Sequence, residues 1–178
     1  MNITLNGTHG TTYYHAENIL KNGFVVPKSG GGKAGLGLYF WFYVNQNTHA
    51  IKLSRHWWNF AKSKGLYESS LDCNLKIFDV EIDISENNIL DFVESFMLYE
   101  TFLNLYPDGE PEKEYGAKLD LFIKVLEKKI GTSFELVKVN LSVPNLRNVA
   151  FANSYPALIL KAQKQVKIKK VMEEKDLI

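Results

Sequence analysis

The chain has 178 residues, 46% of them hydrophobic, which predicts one compact domain with a full core spanning residues 1–178. Lysine and arginine number 21 against 20 aspartate and glutamate, so no overall field draws the protein onto nucleic acid or an anionic membrane, and an anionic partner needs a local patch. Cys73 is the only cysteine, which excludes an internal disulfide or a thiolate metal cluster and favours a reducing compartment.

Met1 to Thr8 carry neither the basic start nor the apolar run of a secretory signal, and no later stretch reaches the roughly 18 apolar residues of a membrane span. The expectation is a cytoplasmic protein without membrane association. None of the four histidines has a partner at H-E-x-x-H spacing, so no metal is expected.

Ile3 and Leu5 alternate with polar neighbours, predicting a short strand that delivers His9, Gly10 and Thr11 to its end. A helix follows, capped by Thr11 or Thr12, with Ala16, Ile19 and Leu20 at helical spacing and Asn22-Gly23 as its stop. Pro27 to Gly37 is the most glycine-rich stretch and reads as a mobile loop passing close to something. Leu38 to Val44 is aromatic and apolar without polar alternation, as in a strand buried on both faces. A helix over 47–63 carries Trp57 and Trp58. From Leu75 to Ile84 the period is two, with Phe78, Val80, Ile82 and Ile84 on one side and Asp79, Glu81 and Asp83 on the other.

Two helices are expected next, over 89–106 and 114–130, parted by Pro107, Gly109 and Pro111. In the second, Leu119, Phe122, Ile123, Leu126 and Ile130 form an apolar stripe. Strands over 134–139, 158–160 and 166–171 complete the chain, with turns at Val143-Pro144 and Tyr155-Pro156. The class is α+β, with strands at both ends and helices between.

Three segments carry a resemblance. Thr8-His9-Gly10-Thr11-Thr12 precedes Ala16, Ile19-Leu20 and Gly23-Phe24; Gly35-Leu36-Gly37-Leu38-Tyr39-Phe40 follows the glycine-rich loop; Ala157-Leu158-Ile159-Leu160 runs toward Gln165-Val166-Lys167-Ile168. In this order they resemble the histidine, tyrosine and glutamate branch of the ADP-ribosyltransferase superfamily, to which the poly(ADP-ribose) polymerases belong. The resemblance covers Thr8 to Met172, with only the order of elements matching between Lys62 and Asn153. It implies two packed, mostly antiparallel sheets around an NAD cleft with flanking helices.

The resemblance also implies roles. Cleaving the bond from nicotinamide to ribose builds oxocarbenium-like charge, so the site must position the ribose and stabilise a cation. His9 would donate a hydrogen bond to a ribose hydroxyl, Gly10 would bind the carboxamide through its backbone, and Tyr39 would stack on the nicotinamide ring. Thr11, Gly37 and Phe40 complete the NAD-binding set. The loop from Lys28 to Gly35 would cover the dinucleotide, with Ser29 or Lys33 reaching its phosphates. Taken singly, His9 reads as a turn histidine and Tyr39 as a core residue; Trp57, Trp58, His15, His49 and His56 read as helix packing or surface.

Where the family keeps its catalytic glutamate, this chain has Ala157. Alanine cannot oppose the developing cation, a loss of about 100-fold to 1,000-fold in rate or more. Three explanations fit: a toxic enzyme inactivated so that cells can make it, an acceptor that supplies the carboxylate, or a degenerate domain that only binds. Glu94, Glu100 and Glu135 lack the local pattern of a substitute.

The activity implied is mono-ADP-ribosylation of RNA, DNA or protein by a bacterial toxin or phage-defence effector, with a neutralising antitoxin or inhibitor as a further partner. The alternative is an inactive domain of the same fold that binds NAD, nucleic acid or protein. An RNA 2′-phosphotransferase is disfavoured because Arg55 and Arg147 are the only arginines. Lys161, Lys164, Lys167, Lys169 and Lys170, extended by Lys52 and Arg55, read either as a nucleic-acid groove or as a guarded edge strand, and Tyr43, Tyr67 and Tyr155 are aromatics able to stack on bases.

Overall fold

The computed structural model describes residues 1–29, 31–68, 71–107, 112–144, 146 and 154–177. Gly109, Pro111 and Arg147, invoked above, lie outside them, as does Gly30 of the glycine-rich stretch. In chain order the elements are β1 (Asn2–Thr12), α1 (Tyr13–Asn22), β2 (Leu38–Tyr43), α2 (Thr48–Ser63), β3 (Leu75–Ser85), β4 (Ile89–Asp91), α3 (Phe96–Leu105), α4 (Glu112–Ile130), β5 (Leu136–Leu141), β6 (Tyr155–Leu160) and β7 (Lys167–Glu173).

The fold is mixed α and β, and its strands make one seven-stranded sheet in the order β4-β5-β6-β2-β1-β3-β7, rather than the two sheets expected. All pairs are antiparallel except β4 with β5. The sheet is nevertheless almost divided. β1 pairs with β3 along its whole length, from Asn2 opposite Ser85 to Thr12 opposite Leu75, whereas it meets β2 only through Asn6, Gly7 and Thr8, opposite Tyr43, Phe42 and Trp41. Beyond that seam, residues 9–12 and 38–40 run on without a shared ladder.

Strand periodicity sorts the two cores. Phe40, Phe78, Val80, Ile82, Ile84, Leu158 and Leu160 pack on one face with Ala16 of α1 and with Phe24. Trp41, Val137, Val139, Ala157 and Ile159 face the other way, onto Leu53 of α2, Phe102 of α3 and Leu119, Phe122 and Ile123 of α4. Thr12 caps α1 by accepting from the His15 N–H, and Gly23 ends it at φ 75°, a conformation that favours glycine.

One expected helix is divided. Ile89–Asp91 forms β4, pairing in parallel with Leu136–Lys138, before Ser95 caps α3 through the Leu98 N–H. Three residues are too few for an alternation to declare itself, and their apolar pattern merges with that of the helix behind them.

Candidate functional site

Where the β1–β2 ladder stops, a cleft of about 210 Å³ opens, lined among others by His9, Gly10, Lys33, Tyr39, Trp57 and Ala157. Gly37 and Phe40 line it as well; Thr11 and Ser29 do not. The two principal side chains reach the cleft from opposite faces of the sheet. His9 sits edge-on to Phe24 at 5.5 Å and beside Phe40 at 5.7 Å, whereas Tyr39 packs with the core beneath α2, α3 and α4. Both line the gap between β1 and β2 beyond Thr8 and Trp41.

His9 holds that gap. Its Nδ1 lies 2.8 Å from the backbone carbonyl of Tyr39, and a carbonyl can only accept, so Nδ1 carries the hydrogen. In the neutral ring Nε2 is then an acceptor, which reverses the donor role expected of it toward a ribose hydroxyl. Burial lowers the His9 pKa below its ordinary 6.5, against the bond to Tyr39, which raises it. The ring is neutral at pH 7. Gly10 is required for packing: a Cβ there would stand 2.6 Å from the Ser54 carbonyl oxygen of α2. Beside it, the buried hydroxyls of Thr8 and Ser54 bond each other at 2.8 Å.

Tyr39 is anchored in the glycine-rich segment. Its hydroxyl donates to the Gly35 carbonyl at 2.5 Å and accepts from the Ala34 N–H at 3.1 Å. Burial, chiefly, pushes its pKa up to about 12, so the phenol stays protonated. Gly32 and Gly35 exchange backbone hydrogen bonds of 3.0 Å each way, closing a tight turn in which Gly35 has φ 79°. The segment expected to be a mobile loop is thus, from Gly32 onward, a hydrogen-bonded turn forming one wall of the cleft.

Ala157 lies opposite Trp41 in the β2–β6 ladder and opposite Val139 in the β5–β6 ladder, with 1% of its surface exposed. The position expected to hold a carboxylate therefore does border the cleft that His9 and Tyr39 share. Among the described residues, no aspartate or glutamate lines that cleft. Glu135 instead pairs with Lys164, Glu94 with Lys138, and Glu100 lies exposed on α3.

Trp57 is the site residue that sequence reasoning assigned to packing. Its neighbour Trp58 turns into the core against Leu75 and Met172, while Trp57 turns to the cleft. Successive helix positions point about 100° apart, which sets Trp57 on a different side of α2 from Trp58. Lys33 also lines a second, larger groove of about 520 Å³ with Phe92, Phe96, Tyr99 and Tyr115, so the two hollows adjoin.

Several of the basic residues named above are held in ion pairs. Lys161 pairs with Asp120, Lys164 with Glu135, Lys167 with Glu81, and Arg55 with Glu174. Lys167, Lys169 and Lys170 belong to β7, an edge strand of the sheet, where lysine discourages pairing with another sheet. Tyr43 bonds the buried carboxylate of Asp79 at 2.5 Å, and Tyr155 packs on the His49 ring at 4.9 Å. Among the described residues no helix is long and apolar enough to cross a membrane, and no group of three or more His, Cys, Asp or Glu is arranged to hold a metal ion.

The fold and cleft define a mixed α and β protein with a cleft at a parted seam of its sheet. No family model matches the chain, and no curated protein or solved structure shows significant similarity to it.

Proposed function

We propose that this chain has an ADP-ribosyltransferase fold whose cleft binds the nicotinamide and ribose end of NAD. Its lineage of activity is mono-ADP-ribosylation of a macromolecular acceptor, RNA, DNA or protein, as in bacterial toxins and phage-defence effectors. One observation carries the reading: His9, Tyr39 and Ala157, drawn from three motifs far apart in sequence, line the same cleft. At about 210 Å³ the cleft is below the roughly 300 Å³ at which sites for drug-sized ligands begin, which suits one end of a dinucleotide lying partly in the open.

In this reading Tyr39 offers a ring face to nicotinamide, and His9 accepts a hydrogen bond from a ribose hydroxyl through Nε2. Transfer breaks the bond from nicotinamide nitrogen to the ribose anomeric carbon, forms a bond from an acceptor atom to that carbon, and releases nicotinamide and a proton. The test is isothermal titration of the chain with NAD, followed by incubation of Ala157→Glu with labelled NAD and total cell lysate. Label that remains with nucleic acid after protease treatment, or with protein after nuclease treatment, supports transfer; no binding and no label would reject it.

A specific observation favours a second reading for the chain as it stands. With no carboxylate among the described residues lining the cleft, this sequence fits a domain that binds NAD, nucleic acid or a protein partner without turning NAD over. Binding of NAD without nicotinamide release, before and after Ala157→Glu, separates the two.

A further inference from the structure

The cleft's glycine-rich wall is held from behind by a helix that sequence reasoning left without a role in the site. Asp120 of α4 accepts the Leu36 N–H through Oδ2 at 2.8 Å and the Lys161 ammonium through Oδ1 at 2.7 Å. Lys161, just beyond β6, also donates to the Ala34 carbonyl at 3.0 Å. Between these two anchors lies Gly35, whose carbonyl takes the Tyr39 hydroxyl. Every polar group of the turn from Ala34 to Leu36 named here is thus bonded to Asp120, Lys161 or Tyr39.

The helix approaches so closely that side chains are excluded at both contacts. A Cβ on Gly116 of α4 would collide with the Gly32 carbonyl oxygen, and a Cβ on Gly35 would collide with the Asp120 carboxylate. Glycine inside a helix costs about 1 kcal/mol relative to alanine, so its presence in α4 is explained by this approach. The ion pair is largely hidden, with 13% of the Lys161 side chain and 28% of the Asp120 side chain exposed. An ion pair removed from water needs nearly complete hydrogen bonding to persist, which fixes its geometry and that of the turn it grips.

We propose that Asp120 and Lys161 are positioning residues of the cleft: they clamp the turn at Ala34 and Leu36 and thereby set where the Tyr39 ring stands. The placement of the ring then depends on α4 and on the end of β6, elements that do not themselves touch its hydroxyl. The effect on NAD rests on the functional reading above; the clamp itself does not.

The test compares Asp120→Ala, Asp120→Asn and the control Lys138→Met, which removes the similarly buried ammonium bound to Asp91 and Glu94 on another part of the sheet. Titration with NAD at a temperature where thermal unfolding shows all variants folded should give a Kd raised tenfold or more in Asp120→Ala. Asp120→Asn, which keeps an oxygen for Leu36, should recover part of that loss, and Lys138→Met should bind like the parent. An unchanged Kd in Asp120→Ala, or an equal rise in the control, overturns the effect on the cleft. If the parent does not bind NAD, the functional reading fails and amide hydrogen exchange decides the clamp alone. Exchange at Ala34 and Leu36 at least tenfold faster in Asp120→Ala than in the parent supports it, and unchanged exchange overturns it. Should Asp120→Ala fail to fold, Asp120→Asn is held to the same comparisons with a threefold threshold.

Discussion

The His9 imidazole donates through Nδ1 to the Tyr39 carbonyl at 2.8 Å, bridging β1 and β2 just past their last backbone pairing. A side chain thereby continues a contact that the main chain has given up. The bond also selects the tautomer that leaves Nε2 as an acceptor.

That relationship predicts a pH response. The His9 pKa in the folded state lies below 6.5, so as pH falls the unfolded chain takes up its proton first. The stability tied to this group is intact above about pH 6.5 and declines below it as the folded state resists protonation. Nitrogen-15 chemical shifts of the ring should report Nδ1–H with a midpoint below 6.5. In His9→Gln, the acid-side loss of stability should be shallower; a midpoint above 6.5 contradicts the assignment.

On the proposed function, Ala157→Glu should raise nicotinamide release by about 100-fold or more, because a carboxylate there would oppose the growing cation. The same change should lower the unfolding free energy by about 1–3 kcal/mol, since the position is 1% exposed and packed beside Trp41 and Val139. Rate from product analysis and stability from urea unfolding are separable readouts. A rate that stays flat in a folded variant speaks against the carboxylate's role.

The architecture was legible where local chemistry repeats. The alternation from Phe78 to Ile84 marks β3, and Thr12 and Gly23 bracket α1, because period and capping act over a few residues. Tyr39 and Ala157 were found through motif resemblance, although pairing alone sets them in adjacent strands two residues out of register. Asp120 and Lys161 were invisible. Their 41-residue separation has no periodic signature, and the only local trace was Gly116 interrupting a good helical pattern. Two sheets were expected from the resemblance alone, and the structure joins the strands into one through only three pairs between β1 and β2.

Gly116→Ala provides a test of sign. On helix propensity alone it should stabilise by about 1 kcal/mol. Since the added methyl would collide with the Gly32 carbonyl, we expect net destabilisation of about 1–3 kcal/mol and weaker NAD binding. Thermal and urea unfolding check the first, titration the second.

Tyr39→Phe removes the hydroxyl that joins the Ala34 N–H to the Gly35 carbonyl. A loss of about 1–3 kcal/mol is expected, because both backbone groups are left without this partner in a partly buried setting. Unfolding that matches the parent within error would show that the turn closes without the phenol.

The narrow join also governs how the molecule yields. Two half-sheets, one carrying β3 and β7 and the other β6, β5 and β4, are stapled at Asn6–Thr8 and, just above it, tied only by the bond from His9 to the Tyr39 carbonyl. A planar guest wedged into the slot touches both flaps at once and does the work of the missing rungs. Occupancy should therefore stiffen the whole span from one edge to the other, and substitutions that loosen either outer strand should be felt as weakened grip at its centre.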